Sequence, residues 1–323
     1  KMSGNAGNYV NELSLPELYS ELSATGLITR LLELARDEDL GIGGNPGDLT
    51  CLVTLEESQE LEARLSSREE FVAAGLAILP EAIKIFAPDV RMEQKVTDGT
   101  SVPKGMVLAT LKGPSHQLLR LERTVLNTVS RLSGIATRTR KFVDAIAAAL
   151  EPGAARAPQL LDTRKTTPGL RMLEKYAVRC GGGFCHRIGL YDAVLIKDNH
   201  LAGLEPAQVG ERVSSAVARA AKLREQGVAI KFIEVEVDTL DQLAELLKLP
   251  EGAIDFVLLD NMEPARLVQA VKMRNDSGSR IRLEASGGVN LDTISAIARA
   301  GVDRISVGGL THQAAAVDIG LDA

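Results

Sequence analysis

Residues 162–187 read DTRKTTPGLRMLEKYAVRCGGGFCHR, with six Arg or Lys and one His against one Asp and one Glu, in a chain of formal net charge -6. A guanidinium is a planar fork that fits a carboxylate through two parallel hydrogen bonds. Cations gathered at one place repel each other until an anion relieves them. Arg164 and Arg187, with His186 beside the latter, and Lys197 fall on or next to the ends of the apolar runs QLLD (159–162) and AVLIKD (193–198). Any one of them reads as readily as half of a surface salt bridge, but the set points to a small, highly anionic ligand or pair of ligands. Arg171, Lys175 and Arg179 recur at four-residue steps. They read as one helix face, solvated or close to a ligand. The triple glycine 181–183 permits a tight backbone path that aims His186 and Arg187.

A second set is acidic. Glu234 and Glu236 are two apart in AIKFIEVEV (229–237), so on a strand they face the same way. Two carboxylates facing an interior are costly unless they meet a cation or hydroxyls. Glu236 is nearer the strand's C-terminal end. With Asp260, which closes FVLLD (256–260), it could hold Mg²⁺ or a sugar's hydroxyls. The competing reading is a salt bridge to an interior Lys or Arg. A third set is made of glycine loops, ASGGV (285–289) and SVGGLTH (306–312). Backbone N–H groups approach an oxyanion closely at such loops, so Ser286, Gly287, Gly288, Gly308 and Gly309 are phosphate-binding candidates.

These residues need a scaffold. Short apolar strand candidates lie at 159–162, 193–198, 229–237, 256–260, 280–286 and 304–309, and amphipathic helices fall between several of them. Thr239–Leu249 opens with a capping pattern, and Asn290 precedes LDTISAIARA with Gly301 after it. Strand and helix in alternation, with buried apolar strands, mean parallel α/β. The number of units suits a barrel, complete or incomplete, and in a barrel the functional groups sit at the C-terminal strand ends. A lone strand-terminal Asp is often only a helix cap, whereas almost every run here ends in polar residues or glycine. No G-x-G-x-x-G follows the first strand, which argues against a dinucleotide fold.

Upstream the rhythm differs. Leu15–Asp37 reads as two short helices broken at Gly26, and DLGIGGNPGD (39–48) as turns. Residues 50–112 alternate in short strands. Asp98-Gly99 is a hairpin signal, and FVAAGLAIL suggests a helix within 67–79. Residues 115–150 read as helix, with a break at Ser133-Gly134. The expected plan is a tail or expression remnant over 1–13, an α+β domain over 14–115, and an α/β barrel-like catalytic domain over 116–323. The last residues are candidates for return to the first domain.

Composition sets limits. The chain has 323 residues, 45% hydrophobic and 25% charged, with no Trp and 3% aromatics, so its cores are aliphatic. Mild acidity argues against nucleic-acid binding. No apolar run is long enough for a membrane span, and the first residues lack a signal-like core. Three cysteines, Cys51, Cys180 and Cys185, make no disulfide framework and suit a reducing, cytoplasmic compartment. Cys180, Cys185 and His186 lack a second pair at zinc-site spacing.

The motifs LERTVLN (121–127), RLSGIAT (131–137), DTRKTTPGLR (162–171), GGGFCHRIGLYDAVLIKDNH (181–200), EVEV (234–237), LLDNM (258–262), EASGGV (284–289) and SVGGLTH (306–312) resemble the quinolinate phosphoribosyltransferases. The resemblance runs through nearly the whole chain in order. It implies an N-terminal open-faced sandwich and an α/β barrel-like domain, often seven-stranded. It implies conversion of quinolinate and phosphoribosyl pyrophosphate to nicotinate mononucleotide, pyrophosphate and CO₂ with Mg²⁺, a step of NAD biosynthesis. It places quinolinate on Arg164, His186, Arg187 and Lys197, with Arg123 supplied by the other subunit of a homodimer, itself able to build a hexamer. Lys165, Glu236 and Asp260 would be catalytic and would contact the phosphoribosyl donor, the two carboxylates also holding the metal. The glycine loops would hold the 5′-phosphate, with His312 nearby. Many members have Asn where this chain has Cys185, which puts local hydrogen bonding in question. The acidic loop near 37–50 is longer than the family pattern.

Three other readings compete. A sister transferase acting on nicotinate or another anionic ring would use most of the same groups. A sugar-phosphate barrel enzyme would leave Arg164, Arg187 and Lys197 without a purpose. A metabolite sensor would bind both ligands without turnover.

Overall fold

The computed structural model describes residues 9–151 and 156–323. The chain divides into two compact units. One comprises Leu13–Arg140, Lys165–Gly182 and Leu310–Ala323; the other comprises the described residues of Lys141–Arg164 and Gly183–Gly309 together with residues 9–12.

The first unit begins with helices α1 (Leu15–Ser23) and α2 (Leu27–Leu40), separated where Gly26 turns with φ 71°. Helix α3 (Leu49–Thr54) starts at Asp48, whose side chain accepts from the Thr50 and Cys51 amides. Strands β1 (Glu60–Ser67) and β2 (Phe71–Val72), helix α4 (Leu79–Phe86), and strands β3 (Arg91–Gln94), β4 (Ser101–Val102) and β5 (Val107–Pro114) follow. An antiparallel sheet runs β3-β5-β1. On β1, Ala63 and Leu65 are buried while Glu62 and Arg64 are exposed, so one face is covered and one is open. Cover comes from α5 (Ser115–Ala149): its Leu118, Leu121 and Val125 line a small apolar cavity with Leu65 and Leu111.

Three expectations change here. FVAAGLAIL is helical only at its end: Phe71 and Val72 pair with β4, Leu76–Ile78 form a 3-10 turn, and α4 begins at Leu79, with Pro80 in its first turn. Asp98-Gly99 does not join paired strands, because β4 pairs β2 and β5 pairs β3. Instead the Asp98 carboxylate accepts from the Leu76 and Ala77 amides at 2.9 and 3.0 Å and from the Tyr176 hydroxyl at 2.8 Å. Finally, α5 does not break at Ser133-Gly134 but runs 35 residues unbroken. A Cβ at Gly134 would overlap the Ala315 carbonyl oxygen. That glycine admits a close approach rather than ending a helix.

The second unit is built on β6 (Gln159–Leu161). Helix α6 (Arg171–Cys180) follows in the chain but belongs to the first unit. Next come β7 (Val194–Ile196), α7 (Asp198–Leu201), α8 (Pro206–Glu225), β8 (Ile233–Val237), α9 (Leu240–Leu246), β9 (Phe256–Asp260), α10 (Pro264–Asp276), β10 (Arg282–Ser286), α11 (Ile294–Arg299) and β11 (Arg304–Ser306). The parallel sheet runs β6-β11-β10-β9-β8-β7. First strand beside last is the order that barrel closure requires. The sheet stays open between β6 and β7. Among the described residues it has six strands rather than seven, and Phe184 makes an isolated parallel bridge to Leu161 on β6's free edge.

The chain closes with α12 (Gly309–His312) and β12 (Ile319–Asp322), which pairs antiparallel with β1 in the first unit. The compact units thus differ from a boundary at 115. Helix α5 up to Arg140, α6 and β12 all belong with the antiparallel sheet. Residues 1–8 of the expected tail lie outside the described residues, but Tyr9–Asn11 form a 3-10 turn with Val10 buried. Among the described residues, no helix is long and apolar enough to cross a membrane.

Candidate active site

Side-chain contacts along the parallel sheet, offset from its strict register, form three levels. Glu234, Phe256 and Arg282 are register partners across β8, β9 and β10, and Glu284 pairs with Arg304 across β10 and β11. Residues two apart on a strand share a face.

The lowest level lies at the N-terminal strand ends. The Arg282 and Arg304 guanidinium carbons sit 4.0 and 3.8 Å from the Phe256 ring centroid. Phe232 meets Phe256 edge-on at 5.4 Å. The aromatic faces stabilise two cations that burial would otherwise penalise.

The middle level is ionic and closed. Arg304 Nε lies 2.8 Å from Glu284, and His186 Nε2 lies 2.8 Å from Glu234 and 3.5 Å from Glu284. All four are buried, Glu234 and Glu284 completely. Burial works to raise the Glu284 pKa, but Arg304 and His186 outweigh it and hold it down at about 2. Burial works to lower that of His186, but the two glutamates outweigh it and lift it to about 9. The Arg187 amide donates to His186 Nδ1 at 2.7 Å. A second ring proton would displace that contact, so the amide opposes the lift as burial does. Donor atoms of His186, Glu234 and Glu284 converge as metal ligands do. Once His186 carries its second proton, as its raised pKa favours, Arg304 and the imidazolium offset the two carboxylates.

The upper level, at the C-terminal strand ends, is unbalanced. Lys197 Nζ donates to Glu236 at 2.9 Å. Even so, burial raises the Glu236 pKa, and Asp260 and Asp198 add repulsion. Burial likewise raises that of Asp260, with Asp238 and Asp198 repelling it. The Asn261 amide steadies Asp260 at 2.7 Å. Asn261 itself has φ 51°, and a Cβ at Gly287 would overlap its side chain and amide nitrogen. So Gly287 serves the packing of two strand-end turns as well as any ligand. Hard oxygen donors in net excess suit a divalent cation shared with phosphates and water.

The basic residues of the same unit gather near this level. Arg187 is 7% exposed and its Nη1 donates to the Ala193 carbonyl at 3.4 Å. Burial lowers its pKa, and the charge of Arg164 lowers it further. Asp192 fixes the loop after Arg187 by accepting from the Ile188 and Gly189 amides at 2.8 and 3.2 Å. Ser286 pairs in register with Asp260, and Gly287 and Gly288 both have positive φ. Gly308 and Gly309 lead into α12.

Arg123, Lys165 and His312 belong to the other unit and are exposed. Arg123 projects from α5, 3.9 Å from Glu122. The Lys165 carbonyl accepts from Thr311 Oγ1 at 2.6 Å. Arg131 ties this region together: it reaches Glu174 at 3.0 Å and the Thr311 and Ala314 carbonyls at 2.8 and 2.7 Å. Glu174 in turn accepts from the Thr167 amide at 3.1 Å. The face expected for Arg171, Lys175 and Arg179 is not solvated, since Lys175 is fully buried. Sequence reasoning missed Glu284, Arg304, Asn261 and Arg131. A charge inside an apolar strand was the available signal for the first two.

A parallel α/β sheet in barrel order, with guanidiniums, paired carboxylates and glycine turns at its C-terminal strand ends, defines a class of enzymes that bind anionic and phosphorylated substrates there. The chain belongs to the quinolinate phosphoribosyl transferase family, whose N-terminal and C-terminal domain models match residues 48–133 and 135–322. It is 39% identical over 285 residues to the probable nicotinate-nucleotide pyrophosphorylase [carboxylating] of Bacillus subtilis, covering 88% of this chain and 89% of that one. It is 34% identical over 333 residues to the chloroplastic nicotinate-nucleotide pyrophosphorylase of Arabidopsis thaliana, covering 99% and 89%. The structure of the nicotinate-nucleotide pyrophosphorylase from Francisella tularensis superposes with a TM-score of 0.78 at 35% identity, covering 97% and 98%.

Proposed function

We propose that this chain is a decarboxylating quinolinate phosphoribosyltransferase, converting quinolinate and phosphoribosyl pyrophosphate to nicotinate mononucleotide, pyrophosphate and CO₂ in NAD biosynthesis. The observation that carries it is the convergence at the C-terminal strand ends of the parallel sheet of buried Arg187, Lys197 at 2.9 Å from Glu236, and the glycine turn after Ser286 in register with Asp260. Arg187 and Lys197, with Arg164 at the end of the run after β6, suit the two neighbouring carboxylates of quinolinate.

Arg164, Arg187 and Lys197 bind and orient the quinolinate ring, and His186 holds the Arg187 backbone while facing Glu234. Ser286, Gly287, Gly288, Gly308 and Gly309 receive the 5′-phosphate, and the family motifs that contain Lys165 and His312 assign these two to the phosphoribosyl donor. Glu236 and Asp260 contact the ribose hydroxyls and would hold Mg²⁺, whose chemistry when bound is to neutralise the departing pyrophosphate. The ring nitrogen attacks the anomeric carbon as the bond to pyrophosphate breaks. The carboxylate next to that nitrogen then leaves as CO₂, and the ring carbon takes up a proton. Placement and preorganised charge carry the acceleration.

The active form is a homodimer in a cytoplasmic or equally reducing compartment, with a hexamer as its further assembly. Leu49, Leu52 and Val53 on α3 and Ile42 before it are exposed apolar side chains, a surface that suits burial by a second copy. Arg123, exposed on α5, is then available to the partner's site. The three cysteines form no disulfide and are buried.

The test is a product assay with quinolinate, phosphoribosyl pyrophosphate and Mg²⁺, following nicotinate mononucleotide and CO₂, with nicotinate in parallel. Both products from quinolinate alone are expected. Mononucleotide from nicotinate without CO₂ would overturn the reading in favour of the sister transferase.

A further inference from the structure

The residues that carry His186 and Arg187 lie at the one gap in the parallel sheet. Phe184 uses its backbone on one side: its amide donates to the Leu160 carbonyl at 2.8 Å, and its carbonyl accepts from the Asp162 amide at 3.1 Å. In extended chain the next residue's N–H and C=O point the opposite way, toward where another strand would pair. No strand pairs there among the described residues, because β7 pairs only with β8. The Asn11 side chain takes that place. Its Oδ1 accepts from the Cys185 amide at 2.8 Å, and its Nδ2 donates to the Cys185 carbonyl at 2.9 Å. A carboxamide carries one acceptor and donors side by side, so a single residue reproduces both bonds of a strand neighbour. The neighbouring Val10 is buried, which anchors the turn that presents Asn11.

We infer that Asn11 is a positioning residue for the carboxylate-binding Arg187 and for His186, which holds its backbone, acting by completing the open sheet edge at Cys185. The inference rests on the proposed function. It assigns a role to a segment remote in sequence from every motif of the site. Asn11 thus holds the peptide groups on both sides of Cys185, and His186 and Arg187 follow it directly. The His186 amide already donates to Asp162 at 2.8 Å. Asn11 therefore supplies the second of two braces, one on each side of the strand. Glu236 and Asp260 take no support from it, so the donor side of the site is independent of Asn11.

Steady-state kinetics of Asn11→Ala, with amide hydrogen exchange at residues 183–187, tests this. Loss of two net hydrogen bonds should raise the quinolinate KM about tenfold and speed exchange at Cys185 by a similar factor. The phosphoribosyl pyrophosphate KM and kcat should stay within about twofold, since Asn11 touches no reacting group. Asn11→Asp keeps the acceptor but sets a carboxylate oxygen against the Cys185 carbonyl, so it should do no better than alanine. Glu12→Ala, an exposed neighbour, should match the wild type. An unchanged quinolinate KM with Cys185 still protected would overturn the inference. So would equal rises in both KM values with a lower melting temperature, the pattern of general destabilisation. A wild-type protein that leaves quinolinate untouched would overturn the proposed function and this inference together, an outcome distinct from a functioning wild type with an indifferent Asn11 variant.

Discussion

Two levels of the same sheet use the same residue types to opposite ends. In the middle level Glu234 and Glu284 face His186 and Arg304, and the charges balance in full burial. Two residues further along β8, and at the end of β9, Glu236 and Asp260 repel each other with Asp198 and Asp238 nearby, and the contact with Lys197 and the charge of Arg187 do not bring the two carboxylates down to their ordinary range. The first set is finished without a ligand. The second is in deficit, and a ligand would repair it. Charge balance within a level, rather than burial or residue type, separates groups that hold the barrel from groups that work in it.

Glu284→Ala should show the largest effect. It leaves Arg304 and His186 with an uncompensated charge in a dry interior, and removal of one partner from such a pair costs about 3–5 kcal/mol. Chemical denaturation would measure it, and a loss under about 1 kcal/mol would break the comparison. Glu236→Ala should do the reverse. Activity is expected to fall about 10²- to 10³-fold, while the melting temperature holds or rises because a strained carboxylate is gone. A large drop in stability would put Glu236 with the middle level.

Arg164→Ala sharpens the basic side. Relief of repulsion on Arg187 should leave stability unchanged, while the quinolinate KM rises about 10²-fold and the donor KM hardly moves. The opposite kinetic pattern would move Arg164 to the donor.

A smaller effect is a plateau in stability against pH. His186 has its folded pKa raised from 6.5 to about 9, so its contribution is complete below pH 6.5 and is lost as pH rises through 9. Glu284 has its pKa lowered from 4.5 to about 2, so its contribution is complete above pH 4.5 and is lost as pH falls through 2. Groups facing the imidazole are Glu234, Glu284 and the Arg187 amide, with Arg304 behind Glu284. Melting temperatures across pH should show the alkaline limb, and His186→Gln should remove it. A limb that survives belongs to another group.

The six strands were legible because each is a short apolar run ending in polar residues or glycine, and parallel pairing needs little more. The upper level was legible for the same reason, since its groups sit where the strands stop. What escaped depends on the third dimension. Gly134 and Gly26 look alike in sequence, yet one admits the Ala315 carbonyl and the other turns the chain. Asp98-Gly99 carries hairpin chemistry but serves Leu76, Ala77 and Tyr176, far off in the chain. Lys175 keeps a helical period with Arg171 and Arg179, and only packing shows that it is buried. Asn11 lies in a polar stretch that composition reads as tail, and its partner is 174 residues away.

The pairing of β12 with β1 sets a timetable for synthesis. Ribosomes deliver β1, β3 and β5 early, but the outer edge of β1 meets its partner only when residues 319–322 emerge. Until then a nascent chain carries an unpaired edge next to a half-built apolar layer, the surface on which chains adhere to one another. The antiparallel unit is therefore begun first and completed last, and the parallel sheet is translated in between. A chain cut short before Ile319 would leave that edge permanently open, so yield in the cell should be more sensitive to the final strand than any count of its few contacts would suggest.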